Sequence, residues 1–489
     1  MIDPRHPVIV GAHELSIRTH DAEPIAMMVQ ASQRALAETV LNLPIQSVRV
    51  VKGIWPYKDP GRLVAKGLEL GDGVMTALTG IGGNATYDLL NQTATDIANG
   101  TIETALLCGA ESMRTRRHDR SEGRLSPYVY EVDGATPDLL VAPNIEMVDD
   151  LDVAAKIDHP VNFYAMAESA IRHRRGETPA AHLDRISSMW ERGNIVASQN
   201  PDAWLQKRTT ASQIASVDAA NRMVATPYTK LLTSNINVDQ AAAVVMCSYQ
   251  TALESGVPPD AMVFLVSGSG AADHLPVRAR MELDRSPAFR LSSERALALA
   301  GQTIHDIEQL DLYSCFPSSV QVAQAELQID PARPFTMTGG LTFAGGPFNG
   351  YCSQALAHAA RALRGTNESA FLHGNGGYFS KHSVVLISGS PPTQPFSYER
   401  VQEQVDTLPR RGTVVVDGNG TIEAYTVPFG RDGEPSGSII SVLDDDGNRS
   451  WAEMTDRNNI EVLLSTDQVG RMVQLRTTEH DSVPVATFV

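Results

Sequence analysis

The stretch ATYDLLNQTATDIANGTIETALLCG, residues 85–109, decides the fold class. Residues 85–99 carry the spacing of a helix, Gly100 is its stop, and 103–109 (ETALLCG) follows at once as a short apolar strand. A helix that runs straight into an apolar strand is the signature of an α/β chain. Working outward, PVIVGA (7–12) predicts a first strand, 24–40 an amphipathic helix and 48–54 a second strand. A second series begins near 261. AMVFLV (261–266) predicts a strand ending in a turn at 267–270, then come helix 293–300, strand 310–313, helices 319–327 and 354–363, and strand 384–387. The shared order, strand then helix then strand, predicts a duplicated α/β unit.

Between the two series, about 115–230 lacks this rhythm and contains helices such as 163–174, the pattern of an inserted loop domain. The segment PPTQP (391–395) reads as a linker. Beyond it, GTVVVDGNGTIEAYTV (412–427) and GSIISVLDDDGNRSWAEM (437–454) alternate with period two around DGNG and DDGN turns, which predicts a small all-β module. The expected division is 1–260 with the insertion, 261–391, and 397–489.

With 489 residues the chain holds two to four domains at roughly 100–200 residues each. Its 40 basic and 57 acidic residues give a net charge of −17, and acidic runs such as LDDDG (443–447) fall in the tail, so no nucleic-acid partner is expected. The four cysteines, Cys108, Cys247, Cys315 and Cys352, form no CxxC pair and read as reduced thiols. The N-terminal MIDPRHPVIVGAHE has no apolar run of signal-peptide length, and no stretch reaches the ~18 apolar residues of a membrane helix. The expectation is a soluble cytoplasmic protein with no membrane partner. In DLYSCFPSSV (311–320), Cys315 sits where an apolar strand gives way to small polar residues. It reads as a working thiol or as a small buried filler.

Seven stretches, in order, resemble the thiolase superfamily in its sterol-carrier-protein branch. They are ALLCGAESM (105–113), the long run from 164 to 204, VDQAAAVVMCS (238–248), RALALAG (295–301), DIEQLDLYSCF (306–316), TGGLTFAGGP (338–347) and HGNGG (373–377). The resemblance covers about the first 390 residues. A thiolase-like core with a β tail resembles the thiolase-like protein type 1 group, and the tail is similar in pattern to OB-fold modules that partner such proteins. The implied fold is two similar α/β halves with mixed sheets, layered α-β-α-β-α, with a loop domain and a C-terminal all-β, OB-like domain.

The resemblance also implies where catalytic groups belong. The family's nucleophilic cysteine aligns within TGIGGNATYD (79–88) at Gly83 or Asn84, and no cysteine occurs from 1 to 107, so ping-pong acyl transfer through that thiol is excluded. The second loop reads Tyr313, Ser314, Cys315, Phe316, with tyrosine in place of histidine. A tyrosine hydroxyl can donate to an oxyanion, but with a pKa of about 10 it is a weak base. The third loop, Gly345, Gly346, Pro347, has lost its histidine, although Asn349 and Tyr351 follow closely. In the fourth, His373 aligns with a cysteine, and its glycine-rich setting suits an exposed loop and an acid–base role.

Tyr313, Cys315, Tyr351 and His373 are therefore the expected catalytic groups, and Gly346, Asn349, Asn375 and Gly376 the expected coenzyme A contacts. Each of the first four also has a plain packing role. The basic cluster Arg114, Arg116, Arg117 and His118 reads as a CoA-phosphate contact or as a solvated loop.

Three functions follow from the resemblance: an acyltransferase-like enzyme of altered chemistry on acyl-CoA, a retro-aldol carbon–carbon lyase on a 3-hydroxyacyl-CoA, or a non-catalytic acyl-CoA or lipid binder. Coenzyme A enters as part of the substrate, with no metal and no covalently bound cofactor. Family thiolases dimerise through the sheet edge of the first half, so a homodimer is the family expectation, with the tail free to alter it.

Overall fold

In the computed structural model, which describes residues 2–40, 44–142, 144–477 and 482–489, the deciding stretch forms helix Ala85–Ala98, Gly100 at φ +73°, and strand Thr104–Ser112. The helix buries polar as well as apolar side chains, including Asp88, Asn91 and Thr93, because it is enclosed on all sides. Its counterpart in the second half, Tyr351–Leu363, is equally enclosed, and Thr86 and Ser353 join the two through a 3.0 Å hydroxyl contact.

The duplication is visible in the strand pairing. In the first half, Pro7–Ser16 pairs antiparallel with Asp239–Ser248, which pairs antiparallel with Thr104–Ser112, which pairs parallel with Ser47–Val50. In the second half, Val263–Ala272 pairs antiparallel with Lys381–Ser388, which pairs antiparallel with Ser369–Asn375, which pairs parallel with Gln309–Asp311. The two sheets meet where Val8 and Ile9 oppose Phe264 and Val263. This is the layered α/β architecture expected from the sequence, with helices Pro160–Arg174 and Pro179–Gln199 inside the insertion. The first half's outer strand, Met75–Thr79, is not a free edge: Leu139–Val141 pairs along it. No helix among the described residues is long and apolar enough to cross a membrane.

Several local expectations are corrected. The turn expected at 267–270 is the middle of strand Val263–Ala272. Its glycines serve close packing: a side chain at Gly268 would collide with Asn91, and one at Gly270 would lie 2.8 Å from the His382 carbonyl. Likewise DGNG at 417–420 is no hairpin, since strand Gly418–Thr426 starts inside it and Gly420 lets Val442 approach. DDGN does make the turn between Ile439–Leu443 and Arg449–Ala452. The tail also contains a helix, Arg457–Ser465, where only strands were expected.

The tail sheet runs in the order Arg449–Ala452, Ile439–Leu443, Gly418–Thr426, Met472–Arg476, Val485–Phe488, all antiparallel. A parallel bridge between Glu453 and Val485 joins its two edges around a separate core that includes Ile422, Ile440, Val442 and Leu475. The preceding strand Ser397–Arg400 joins the large sheet instead, pairing with Val263–Ala272. The tail is bonded firmly to the body. Arg172 donates to the Tyr425 hydroxyl at 2.6 Å and to Asp467 at 2.9 Å, and the Trp451 indole donates to Asp152 at 2.6 Å.

Candidate functional site

The four loops named from the sequence do converge, and they close on one another. Gly83 faces the other loops. A side chain there would collide with the Tyr313 hydroxyl and ring and with the carbonyl of Asn375. Asn84, the alternative position, points its amide toward Asp88, to which it donates at 2.5 Å. At Gly83, the first of the two positions that align with the family's thiol, the space is thus filled by Tyr313; Asn84, the second, lines a cavity of about 290 Å³ with Asp88, Lys381 and His382. Asn349 clamps the first loop from the other side, accepting from the Gly82 amide at 3.0 Å and donating to the Lys52 carbonyl at 2.7 Å. Asn375 donates to the Tyr164 hydroxyl at 2.9 Å and accepts from the Gly377 amide at 3.1 Å, and Gly376 lies too close to Asn84 and Lys381 for any side chain.

Cys315 is buried, its thiol against the Tyr164 and Ser319 hydroxyls. Burial pushes it up to about 12, so it stays protonated at neutral pH. Tyr351 packs edge-on against Tyr313, with centroids 5.8 Å apart, and donates to Asp311 at 3.0 Å. Asp311 also accepts from the Thr336 hydroxyl at 3.0 Å and the Met337 amide at 2.9 Å, which fixes the start of the glycine-rich third loop.

His373 is not in an exposed loop; it lies inside the buried strand Ser369–Asn375. The directions of its hydrogen bonds set its tautomer. The Tyr313 amide donates to Nδ1 at 3.4 Å, so Nε2 carries the proton and donates to His382 Nδ1 at 3.1 Å. His382 in turn donates from Nε2 to the Phe379 carbonyl at 2.7 Å, with Ser286 and Asp273 behind it. Burial, then the neighbouring His382, holds His373 well below the usual imidazole range. Both ring nitrogens are occupied and the ring is neutral.

One consequence is measurable. Burial, the dominant influence, raises the Asp311 carboxyl to about 6 from its ordinary 3.8. A folded-state value above the unfolded one stabilises the protein at low pH, and that contribution is lost as pH rises through 6. Between about pH 4 and pH 7 the wild type therefore loses about 2 kcal/mol relative to Asp311→Asn, which does not titrate. Chemical denaturation of both proteins across that range checks this; parallel curves contradict it.

Beside the closed loops lies an open cavity of about 510 Å³. Arg117, Lys207 and Lys230 are exposed at it, and Trp204, Leu231 and Ile236 provide apolar wall. Its inner end is Ser234, Asn235 and Thr342. Ser234 donates to the Cys315 carbonyl at 2.8 Å, and the Asn235 carbonyl accepts from the Gly346 amide at 2.9 Å. A side chain at Gly346 would approach Ser234 and Asn235 at 3.5 Å, so the position vacated by the third-loop histidine faces this inner wall. Of the basic cluster, Arg117 lines the cavity. Lys207, Lys230, Ser234 and Thr342 were not singled out from the sequence; the available signals were that 234–237 directly precede the matching segment 238–248 and that Thr342 lies inside the matching segment 338–347.

Comparison with known proteins fits this geometry. The family model for the additional C-terminal domain of thiolase-like protein type 1 matches residues 400–480. An acetyl-CoA acetyltransferase of Methanothermobacter thermautotrophicus is 26% identical over 186 residues, a match spanning 35% of this chain and 46% of that protein. The crystal structure of a monomeric SCP2-thiolase like protein type 1 from Mycobacterium smegmatis superposes with a TM-score of 0.85 at 26% identity, covering 100% of both chains. An Ltp2-ChsH2(DUF35) aldolase shares the fold at a TM-score of 0.61 and 18% identity, covering 79% of this chain and 98% of that one. The C-terminal family model, the acetyltransferase relative and the type 1 structure together support the thiolase superfamily, in the thiolase-like protein type 1 group, for this chain.

Proposed function

We propose that this protein binds an acyl-CoA, or a related CoA thioester, non-covalently in the 510 Å³ cavity and forms no acyl-enzyme. The observation that carries this reading is that neither position aligned with the nucleophile carries a thiol and that at Gly83 the space is occupied by Tyr313. Arg117, Lys207 and Lys230 supply positive charge for the phosphates of coenzyme A on a chain of net charge −17, and Gly346 lets the thioester approach the wall of Ser234 and Asn235.

In this reading Tyr313 is a plug, Cys315 a buried filler, and Tyr351 and His373 hold the loops. Asn349, Asn375 and Gly376 fix the closed junction rather than touch the ligand. A retro-aldol reaction needs a base free to take a proton. Tyr351 already donates to Asp311 and both His373 nitrogens are occupied, so the geometry favours binding over a lyase.

The tail is OB-like in this reading, which its strand order, its helix between third and fourth strands and the Glu453–Val485 bridge support. The protein acts as a monomer, supported by the covered Met75–Thr79 edge and by the monomeric Mycobacterium smegmatis relative. The four cysteines are free and buried, which suits the cytoplasm.

Calorimetric titration with octanoyl-CoA tests the reading. One site is expected, weakened about fivefold by each of Lys207→Ala and Lys230→Ala at low salt. No heat of binding, or affinity untouched by both substitutions, overturns it.

A further inference from the structure

A second cleft, of about 620 Å³, opens between the insertion helices Pro160–Arg174 and Pro179–Gln199 and the helix Pro317–Glu326, and shares no lining residue with the 510 Å³ cavity. Five arginines line it: Arg174, Arg175, Arg185, Arg192 and Arg285. Three of them are held by carboxylates. Arg174 pairs with Asp284 and Glu282, and Arg175 and Arg185 share Glu177. The other two are uncommitted. Arg285 makes no side-chain hydrogen bond or ion pair among the described residues. Arg192 donates only to the Pro331 carbonyl at 2.8 Å and leaves its buried Nε–H unpaired.

Two amides in the lining are also unfinished. Gln324 is 4% exposed with Nε2 unpaired, and Gln321 is 8% exposed with Oε1 unpaired, its Nε2 being taken by Glu168. A buried donor without an acceptor costs free energy that a ligand recovers. Beneath the polar groups the lining is apolar: Ile171, Met189, Val322 and Ile329, all buried.

Unspent guanidinium and amide donors over an apolar floor fit one ligand chemistry, and we propose that this cleft is a second binding site, for an organic anion whose carboxylate or phosphate is held by Arg192, Arg285 and Gln324 while its apolar body lies on Ile171, Met189, Val322 and Ile329. Arg174, Arg175 and Arg185 are already matched by Asp284, Glu282 and Glu177, so the charge open to a ligand is that of Arg192 and Arg285, with Asp330 the remaining carboxylate in the lining. The inference is independent of the CoA reading, because the two sites share no residue.

The test is calorimetric titration of the full chain with octanoate and with octyl phosphate, each below its micelle concentration, and with inorganic phosphate and 1-octanol as controls. Binding of octanoate or octyl phosphate at one site is expected, and the tighter of the two tells whether carboxylate or phosphate is the preferred head group. Arg192→Gln with Arg285→Gln weakens that binding about tenfold or more. Lys207→Ala with Lys230→Ala leaves it unchanged. Both arginines are partly exposed, and each single variant provides a folded fallback if the pair does not fold. The proposal is overturned if neither amphiphile binds, if 1-octanol or inorganic phosphate binds as tightly, or if the arginine variants bind like wild type.

Discussion

Replacing Arg449 with methionine lowers the unfolding free energy by about 3–5 kcal/mol, the cost of leaving one half of a buried ion pair behind. Arg449 is 0% exposed. Its guanidinium donates to Glu423 at 2.6 and 2.7 Å, to the Arg278 carbonyl at 2.7 Å, to the Met281 carbonyl at 3.1 Å, and to the Arg280 carbonyl. It therefore ties the tail sheet to the body at residues 278–281. Removing it takes the guanidinium away from the Glu423 carboxylate, which keeps Ser441 and Arg411, and leaves the Arg278 and Arg280 carbonyls without this donor, while the Met281 carbonyl still accepts from Arg411 at 2.7 Å. Adding Glu423→Leu recovers part of the loss, since an apolar pair is tolerated where half an ion pair is not, but the Arg278 and Arg280 carbonyls still lack the donor they lost. Denaturant melts of the single and double variants measure both effects. A loss below about 1 kcal/mol for the single variant would mean that the tail is not bound as described.

Installing the missing thiol does not restore acyl transfer. Gly83→Cys places its Cβ against the Tyr313 ring and the Asn375 carbonyl, and destabilises the protein by about 1–3 kcal/mol or more, the usual cost of overpacking. Removing the ring with Tyr313→Ala relieves only part of this, because the carbonyl belongs to the backbone of strand Ser369–Asn375. The double variant still has glycine at 346 where the family has its activating histidine. Its expected thiolysis rate with acetoacetyl-CoA and free CoA is indistinguishable from background. Turnover in Gly83→Cys alone would show that the loops open far wider than their packing implies.

Much of the fold was legible because it is written in local signals. A helix stopped by Gly100 and followed at once by ETALLCG reports α/β order without any tertiary knowledge. What misled were small residues used for packing. SGSG at 267–270 has the composition of a turn, yet in this chain it is a strand thinned so that Asn91 and His382 can approach. HGNGG read as an exposed loop for the same reason, and His373 became a candidate acid–base group when it is a buried neutral link to His382. The loss of the nucleophile was plain from the absence of cysteine before 108, but its replacement by a plug was not, because Gly83 and Tyr313 are far apart in the chain. The same separation hid the open cavity: Arg117, Lys207 and Lys230 converge only after the insertion folds back.

The central claim is that the acyl-CoA ligand is held but never transferred to the protein. The most direct measurement is mass spectrometry of the chain after incubation with octanoyl-CoA, recorded under native and then denaturing conditions. The account predicts a 1:1 complex in the first spectrum and the unmodified chain mass in the second. A mass gain that survives denaturation, above all one abolished by Cys315→Ser, would establish covalent acyl chemistry and contradict it; absence of the native complex would contradict the binding itself.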